Sequence, residues 1–199
     1  MARGRAGGAG GQRRSKDSGA QRETATRSGF VHVYTGNGKG KTTAALGLAL
    51  RAAGAGLRVY ILQLMKEYPY SELNALSRLA DLITVEQACG DAFVYRREPP
   101  SPEEKAKAAA ALDRARAAMA AGEYDVVVLD EVCVSIYFGL ITSDQLLAVL
   151  DARPDSVELV LTGRYCPEPV LERADLVTEM REVRHYYTRG VAARKGIES

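Results

Sequence analysis

From about residue 29 onward, short apolar runs alternate with stretches in which apolar positions recur three and four residues apart. The runs predict strands at Phe30–Thr35, Arg58–Leu64, Leu82–Val85, Tyr124–Asp130, Val157–Thr162 and Leu176–Glu179. The periodic stretches predict helices at Thr42–Ala53, Ser71–Ala80, Ser101–Ala121, Ser143–Ala152 and Pro169–Ala174. Tyr124–Asp130 reads YDVVVLD, an unbroken apolar strand of the kind that is covered on both faces. The third helix carries the clearest start signal, with Ser101 as cap, Pro102 at the first helical position and Glu104 placed to close a capping box. Gly122 supplies its stop. Strand and helix in alternation predict an α/β domain with a mostly parallel sheet and helices on both faces.

Composition narrows this picture in three ways. Residues 1–28 hold seven Lys/Arg against Asp17 and Glu23, so of 27 basic and 25 acidic residues the remainder, 29–199, keeps 20 and 23. The body is therefore mildly acidic, and the positive charge gathers in a Gly/Ala/Arg-rich leader over 1–28. That leader has too little apolar content to offset its ordering entropy, and we expect it to be disordered when free. A basic tail can bind nucleic acid, but the body has no basic stripe interleaved with aromatics, which argues against a nucleic-acid partner. The three cysteines, Cys89, Cys133 and Cys166, form no C-x-x-C pair, so reduced thiols are expected rather than a disulfide frame or a zinc site. No run approaches the roughly 20 apolar residues of a membrane span, and with no apolar signal-peptide core the expected address is cytoplasmic.

The candidate chemistry begins with TGNGKGKTT, Thr35–Thr43. It fits the phosphate-loop pattern G-x-x-x-x-G-K-[ST] except that Thr35 holds the leading glycine position. The stretch follows a predicted strand and opens a predicted helix, as such a loop must, and makes the expected fold P-loop NTPase-like. Gly36, Gly38 and Gly40 would let backbone N–H groups turn toward phosphate, with Asn37, Lys39 and Thr43 completing the cradle and the helix adding its positive end. Lys41 would place a charge between phosphate oxygens, and the Thr42 hydroxyl could ligate Mg²⁺. Asp130 and Glu131 end the YDVVVLD strand, where ligands of parallel sheets bind, and add two metal-type carboxylates. Arg164, in Thr162-Gly163-Arg164, is at another strand end and could reach phosphate. These residues define a nucleotide site without naming a reaction, because the loop is shared by kinases, hydrolases and transferases.

From Val31 to Ile197 the chain resembles the P-loop-type ATP:corrinoid adenosyltransferases. The resemblance rests on TGNGKGKTTAALGLALRAAG, QLMK with Glu72 nearby, YDVVVLDE, LDARPDSVELVLTGRYCPEPVLERADLVTEM and VRHYYTRGVAARKGIE. That family's loop also lacks the first glycine. The resemblance implies that the reduced cobalt of a corrinoid attacks the 5′ carbon of ATP and triphosphate leaves, with ATP, Mg²⁺ and the reduced corrinoid as ligands. It further implies a homodimer, a reducing flavoprotein as electron donor, and an N-terminal segment that covers the corrinoid. Where the family carries Phe and Trp two residues apart, CGDAFVYRRE supplies Phe93 and Tyr95, which the resemblance casts as an apolar wedge against the lower corrinoid face. His32 reads as a packed core residue of its strand, and His185 matches a family position but has no neighbouring metal-type ligand. The competing readings are a P-loop kinase or hydrolase acting on another small molecule, and a nucleic-acid ATPase engaged through the leader.

Overall fold

The computed structural model describes residues 28–198, so nearly all of the predicted 1–28 leader lies outside the described residues. Six strands form one sheet: β1 (Val31–Thr35), β2 (Val59–Leu64), β3 (Ile83–Ala88), β4 (Val126–Asp130), β5 (Glu158–Thr162) and β6 (Leu176–Glu179), in the order β3-β2-β4-β5-β1-β6. Every pairing is parallel. The helices are α1 (Lys41–Gly54), α2 (Ser71–Leu76), α3 (Ala92–Arg96), α4 (Pro102–Ala120), α5 (Val132–Tyr137), α6 (Ser143–Asp151) and α7 (Glu168–Leu171). This is the expected α/β, P-loop NTPase-like architecture.

The sheet is covered on both faces because successive strand residues point to opposite sides. On β2, Val59 and Ile61 join the layer packed under α1, whereas Tyr60, Leu62 and Leu64 join the larger layer under α4, α5 and α6. The α1 layer is built on Ala45, Ala49, Ala52 and Ala53, spaced for one helical face and small enough to bring the helix close to the strands. The α4 layer uses Ala108, Ala111, Leu112, Ala115 and Met119 in the same periodicity. Each large aliphatic buried this way contributes about 1.5–3 kcal/mol.

The capping box of α4 forms as read: Glu104 N–H donates to Ser101 Oγ at 3.2 Å, and Ser101 N–H donates to the Glu104 carboxylate at 2.7 Å. Gly122, at φ 67°, ends that helix. The helix expected at Ser71–Ala80 is shorter, passing after Leu76 into a 3₁₀ turn at Ser77–Leu79. Two helices had no clear sequence signal, α3 and α5, since five or six residues are too few to display a 3.6 period. His32 is not packed in the apolar core; it lies half-buried on β1, with Nε2 2.6 Å from the Glu158 carboxylate and Nδ1 3.2 Å from the Tyr34 hydroxyl. Cys89 and Cys133 are buried free thiols and Cys166 is half-buried.

One polar cluster ties α4 to the sheet. The Tyr60 hydroxyl donates to Glu86 at 2.5 Å, and Arg114 Nε donates to the same side chain at 2.8 Å. Burial pushes the Glu86 carboxyl up, but hydrogen bonds from Arg114 and Tyr60 outweigh it and hold the group below its usual range. A folded-state pKa that is depressed gives stability above the unfolded value, about 4.3, which is lost as pH falls through the folded one. Glu86→Gln should therefore cost about 1 kcal/mol at neutral pH, and denaturant titrations should show the difference from wild type shrinking below about pH 4.

Candidate functional site

The carboxyl edge of the sheet is shaped by residues in left-handed backbone directly after five strands: Gly36 (φ 93°), Met65 (55°), Cys89 (62°), Glu131 (60°) and Gly163 (137°). Each turns the chain sharply out of its strand, so the segments that follow converge on one edge. Gly36 follows Thr35, the last residue of β1, so the turn expected of the missing first glycine is made one residue later.

The loop glycines have a second reason to lack side chains. The segment leaving β6 crosses the loop, and Gly38 N–H donates to the Met180 carbonyl at 2.6 Å. A Cβ on Gly36 would lie 2.5 Å from that carbonyl oxygen, and one on Gly38 would lie 2.7 Å from it and 2.9 Å from the Arg181 carbonyl carbon. The Gly38 N–H is thus committed to the protein rather than turned toward the cavity. An anion in the cavity would then meet the start of α1, whose cap residue Gly40 offers no side-chain hydrogen bond. Unpaired first-turn N–H groups with the helix dipole behind them favour an anion.

Lys41 is buried at 7% exposure and folds over the loop, donating to the Gly36 and Gly38 carbonyls at 2.8 Å each. Burial, then the nearby Arg164 guanidinium, lower its pKa. An anion brought beside it would favour its charged form and so oppose both effects.

Behind the loop lies Asp130, at 1% exposure. Its Oδ1 accepts from Thr162 Oγ1 (2.6 Å) and Thr42 Oγ1 (2.9 Å), and its Oδ2 from Lys66 Nζ (2.7 Å) and Gln63 Nε2 (3.2 Å). Lys66 Nζ also lies 3.3 Å from Thr42 Oγ1 and 5.2 Å from the centre of the Tyr70 ring. Burial disfavours charge on Lys66, and the Asp130 carboxylate, with Glu131 and Glu72, more than offsets this and raises its pKa. Glu131 donates its backbone N–H to Thr162 Oγ1 at 2.9 Å, and its side chain lines the cavity. Burial and the neighbouring Asp130 charge push the Glu131 carboxyl up.

These groups surround a cavity of about 790 Å³, a size suited to a nucleotide. Of the sequence candidates, Gly38, Lys39, Gly40, Lys41, Thr42, Thr43, Glu131 and Arg164 line it. Gly36 and Asn37 shape the loop from outside the lining, and Asp130 sits beneath it. Arg164 reaches the wall because Gly163 lets β5 press against α5: a Cβ there would be 2.7 Å from Val134 N. Phe93 and Tyr95 do not line the cavity. Phe93 is 1% exposed and packs edge-on against Phe138, with ring centres 6.2 Å apart, whereas Tyr95 is 79% exposed on α3.

Sequence reasoning did not assign Lys66, Tyr70, Val134 or the C-terminal segment to the site. That segment contributes His185 and Gly196–Glu198 to the wall, and Lys39 Nζ donates to the Ile197 carbonyl at 2.8 Å. The signal for it was its place in VRHYYTRGVAARKGIE, whereas Lys66 is separated from Asp130 by too much chain for spacing to reveal the pair. Among the described residues, no group of three or more His, Cys, Asp or Glu is placed to hold a metal, which includes His32 and His185.

Residues 27–199 match the family model for ATP:corrinoid adenosyltransferase BtuR/CobO/CobP. The chain belongs to that family. It is 35% identical over 172 residues to the corrinoid adenosyltransferase CobA of Salmonella typhimurium, covering 85% of each chain. With the corrinoid adenosyltransferase of Pseudomonas aeruginosa it shares 34% over 170 residues, covering 85% of this chain and 83% of the relative. An uncharacterized protein of Nostoc sp. is 35% identical over 178 residues, covering 83% of this chain but only 47% of that longer protein. The family's membership thus extends from loop to tail, including the segment that crosses the glycines.

Two glycines separate the loop's shape from helix propensity. Gly38→Ala should force the Met180–Arg181 crossing aside, lowering stability by about 1–3 kcal/mol and weakening ATP binding together. Gly47→Ala, on α1 with nothing within 4 Å of the added carbon, should raise stability by about 0.5–1 kcal/mol with ATP binding unchanged. Thermal melts with and without ATP read both.

Proposed function

We propose that this chain transfers the 5′-deoxyadenosyl group of ATP to the reduced cobalt of a corrinoid. The observation that carries the reading is the loop ending in Lys41 and Thr42, which shares one cavity with Arg164 and Glu131 in a chain matching the adenosyltransferase family over 27–199. In this reaction the cobalt of the substrate supplies the electron pair, a Co–C bond forms, the C5′–O bond breaks, and triphosphate departs with the electrons. The protein's task is then to hold a polyanionic leaving group, which the α1 N-terminus, Lys41 and Arg164 are disposed to do.

A hard divalent cation such as Mg²⁺ fits the oxygen donors Thr42, Asp130 and Glu131. When bound, it would neutralise charge on the departing triphosphate. Having so few protein ligands suits a cation that takes the rest of its shell from phosphate and water. We place the enzyme in the cytoplasm as a homodimer supplied with electrons by a flavoprotein. Among the described residues no helix is long and apolar enough to cross a membrane.

The product decides between this reading and a kinase or hydrolase. An anaerobic reaction with ATP and pre-reduced corrinoid should yield a light-sensitive Co–C product and inorganic triphosphate; ADP and phosphate instead would overturn it. Lys41→Ala should lower turnover at limiting ATP by about 100-fold or more, since its charge is opposed to phosphate in a water-poor site.

We retain Phe93 and Tyr95 as the lower-face wedge, with the requirement that α3 leave its seat against Phe138 for Phe93 to take part. Phe93→Ala should cost about 3–5 kcal/mol of stability whatever its role, so Tyr95→Ala is the informative variant. It should melt like wild type and slow adenosylation starting from cobalt(II) corrinoid, with the rate restored by pre-reduced cobalt(I). Equal slowing from both starting states would remove Tyr95 from the wedge.

A further inference from the structure

Asp130 uses both carboxylate oxygens twice, so its four lone-pair sites are all engaged. A divalent cation cannot reach that carboxylate unless one donor gives way. Gln63 and Thr162 are fixed within strands at 0% exposure, and Thr42 is held in the first turn of α1. Lys66 is different. It follows β2 in a turn set by Met65 in left-handed backbone, and it carries its charge on a four-carbon stem at the cavity wall. Its ammonium also bridges Asp130 Oδ2 and Thr42 Oγ1, two of the three oxygen-bearing residues assigned to the metal.

We propose that Lys66 is a tethered cation that holds Asp130 and Thr42 in place of a metal, excludes free divalent cations, and yields only to a metal arriving with triphosphate. The inference rests on the reading that Thr42, Asp130 and Glu131 serve the nucleotide's metal. Two positive charges cannot share one carboxylate without strong repulsion at this burial, so a free cation meets a site that already has its charge. Triphosphate changes the balance by offering the ammonium a second partner. Lys66 and Lys41 both line the cavity, and a short swing of the Lys66 stem exchanges a carboxylate for phosphate oxygens. Metal and nucleotide then enter as one complex, and Lys66 is a positioning residue that enforces the order.

Electron paramagnetic resonance of Mn²⁺ tests this with the full chain, because free Mn²⁺, Mn²⁺·ATP and protein-bound Mn²⁺ differ in line shape. Wild type should take up Mn²⁺ with ATP present and show little uptake alone. Lys66→Met should bind Mn²⁺ without nucleotide roughly tenfold or more tightly than wild type, and Lys66→Arg, which keeps the charge, should behave as wild type does. Lys66→Gln, which keeps a donor for Asp130 without the charge, should match Lys66→Met and serves if that variant does not fold. Thr42→Val and Glu131→Gln monitor the underlying reading by weakening uptake with ATP. If the neutral Lys66 variants bind Mn²⁺ alone no better than wild type while Thr42→Val still loses uptake with ATP, the gate is wrong and the metal site stands. If Thr42→Val and Glu131→Gln both retain full uptake with ATP, the metal site and the gate fall together.

Discussion

A carboxylate at 1% exposure organises the working edge of this protein. Removing Asp130 from water costs several kcal/mol, a cost offset only where the charge is fully hydrogen-bonded. Its donors come from β2 (Gln63), the turn after β2 (Lys66), β5 (Thr162) and the first turn of α1 (Thr42). Gln87 of β3 extends the line by donating to Gln63 at 3.1 Å. Hydrogen bonds thus run across the carboxyl edge from β3 to β5 and fix the start of α1 on the strands. Thr162 serves twice, donating to Asp130 and accepting from the Glu131 backbone. The position of the loop relative to Glu131 therefore depends on one buried charge together with the loop's own Thr42.

Conformational strain follows the same edge. Met65, Cys89 and Glu131 are non-glycine residues with positive φ, each immediately after a strand, and such backbone costs of order 1–3 kcal/mol apiece. For Glu131 the surroundings account for it: with its N–H bound to Thr162, the turn presents the side chain to the cavity.

The fold was legible because the central strands β2 and β4 are buried along their whole length and read as apolar runs, and because Ser101, Pro102, Glu104 and Gly122 punctuate the longest helix. Helices α3 and α5 were not, since neither completes two turns and neither has a Ser or Pro in its first two residues as α2 and α7 do. In the site, contiguous residues could be read from the loop motif and from the acidic strand end. What escaped was long-range: Lys66 meets Asp130 and Thr42 only through strand order, and Ile197 meets Lys39 only after the chain has crossed the sheet. The pairing of Phe93 with Tyr95 was a family likeness, and local packing divides them. The apolar ring finds Phe138, and the tyrosine stays in water.

The contact between Gly38 and Met180 has a consequence for synthesis. The loop residues leave the ribosome early, yet their shape depends on a carbonyl that follows the last strand, β6, which itself pairs only with β1. A nascent chain can carry the whole phosphate motif without the geometry to use it. The Gly38 contact can form only once Met180 has followed β6 into place beside β1.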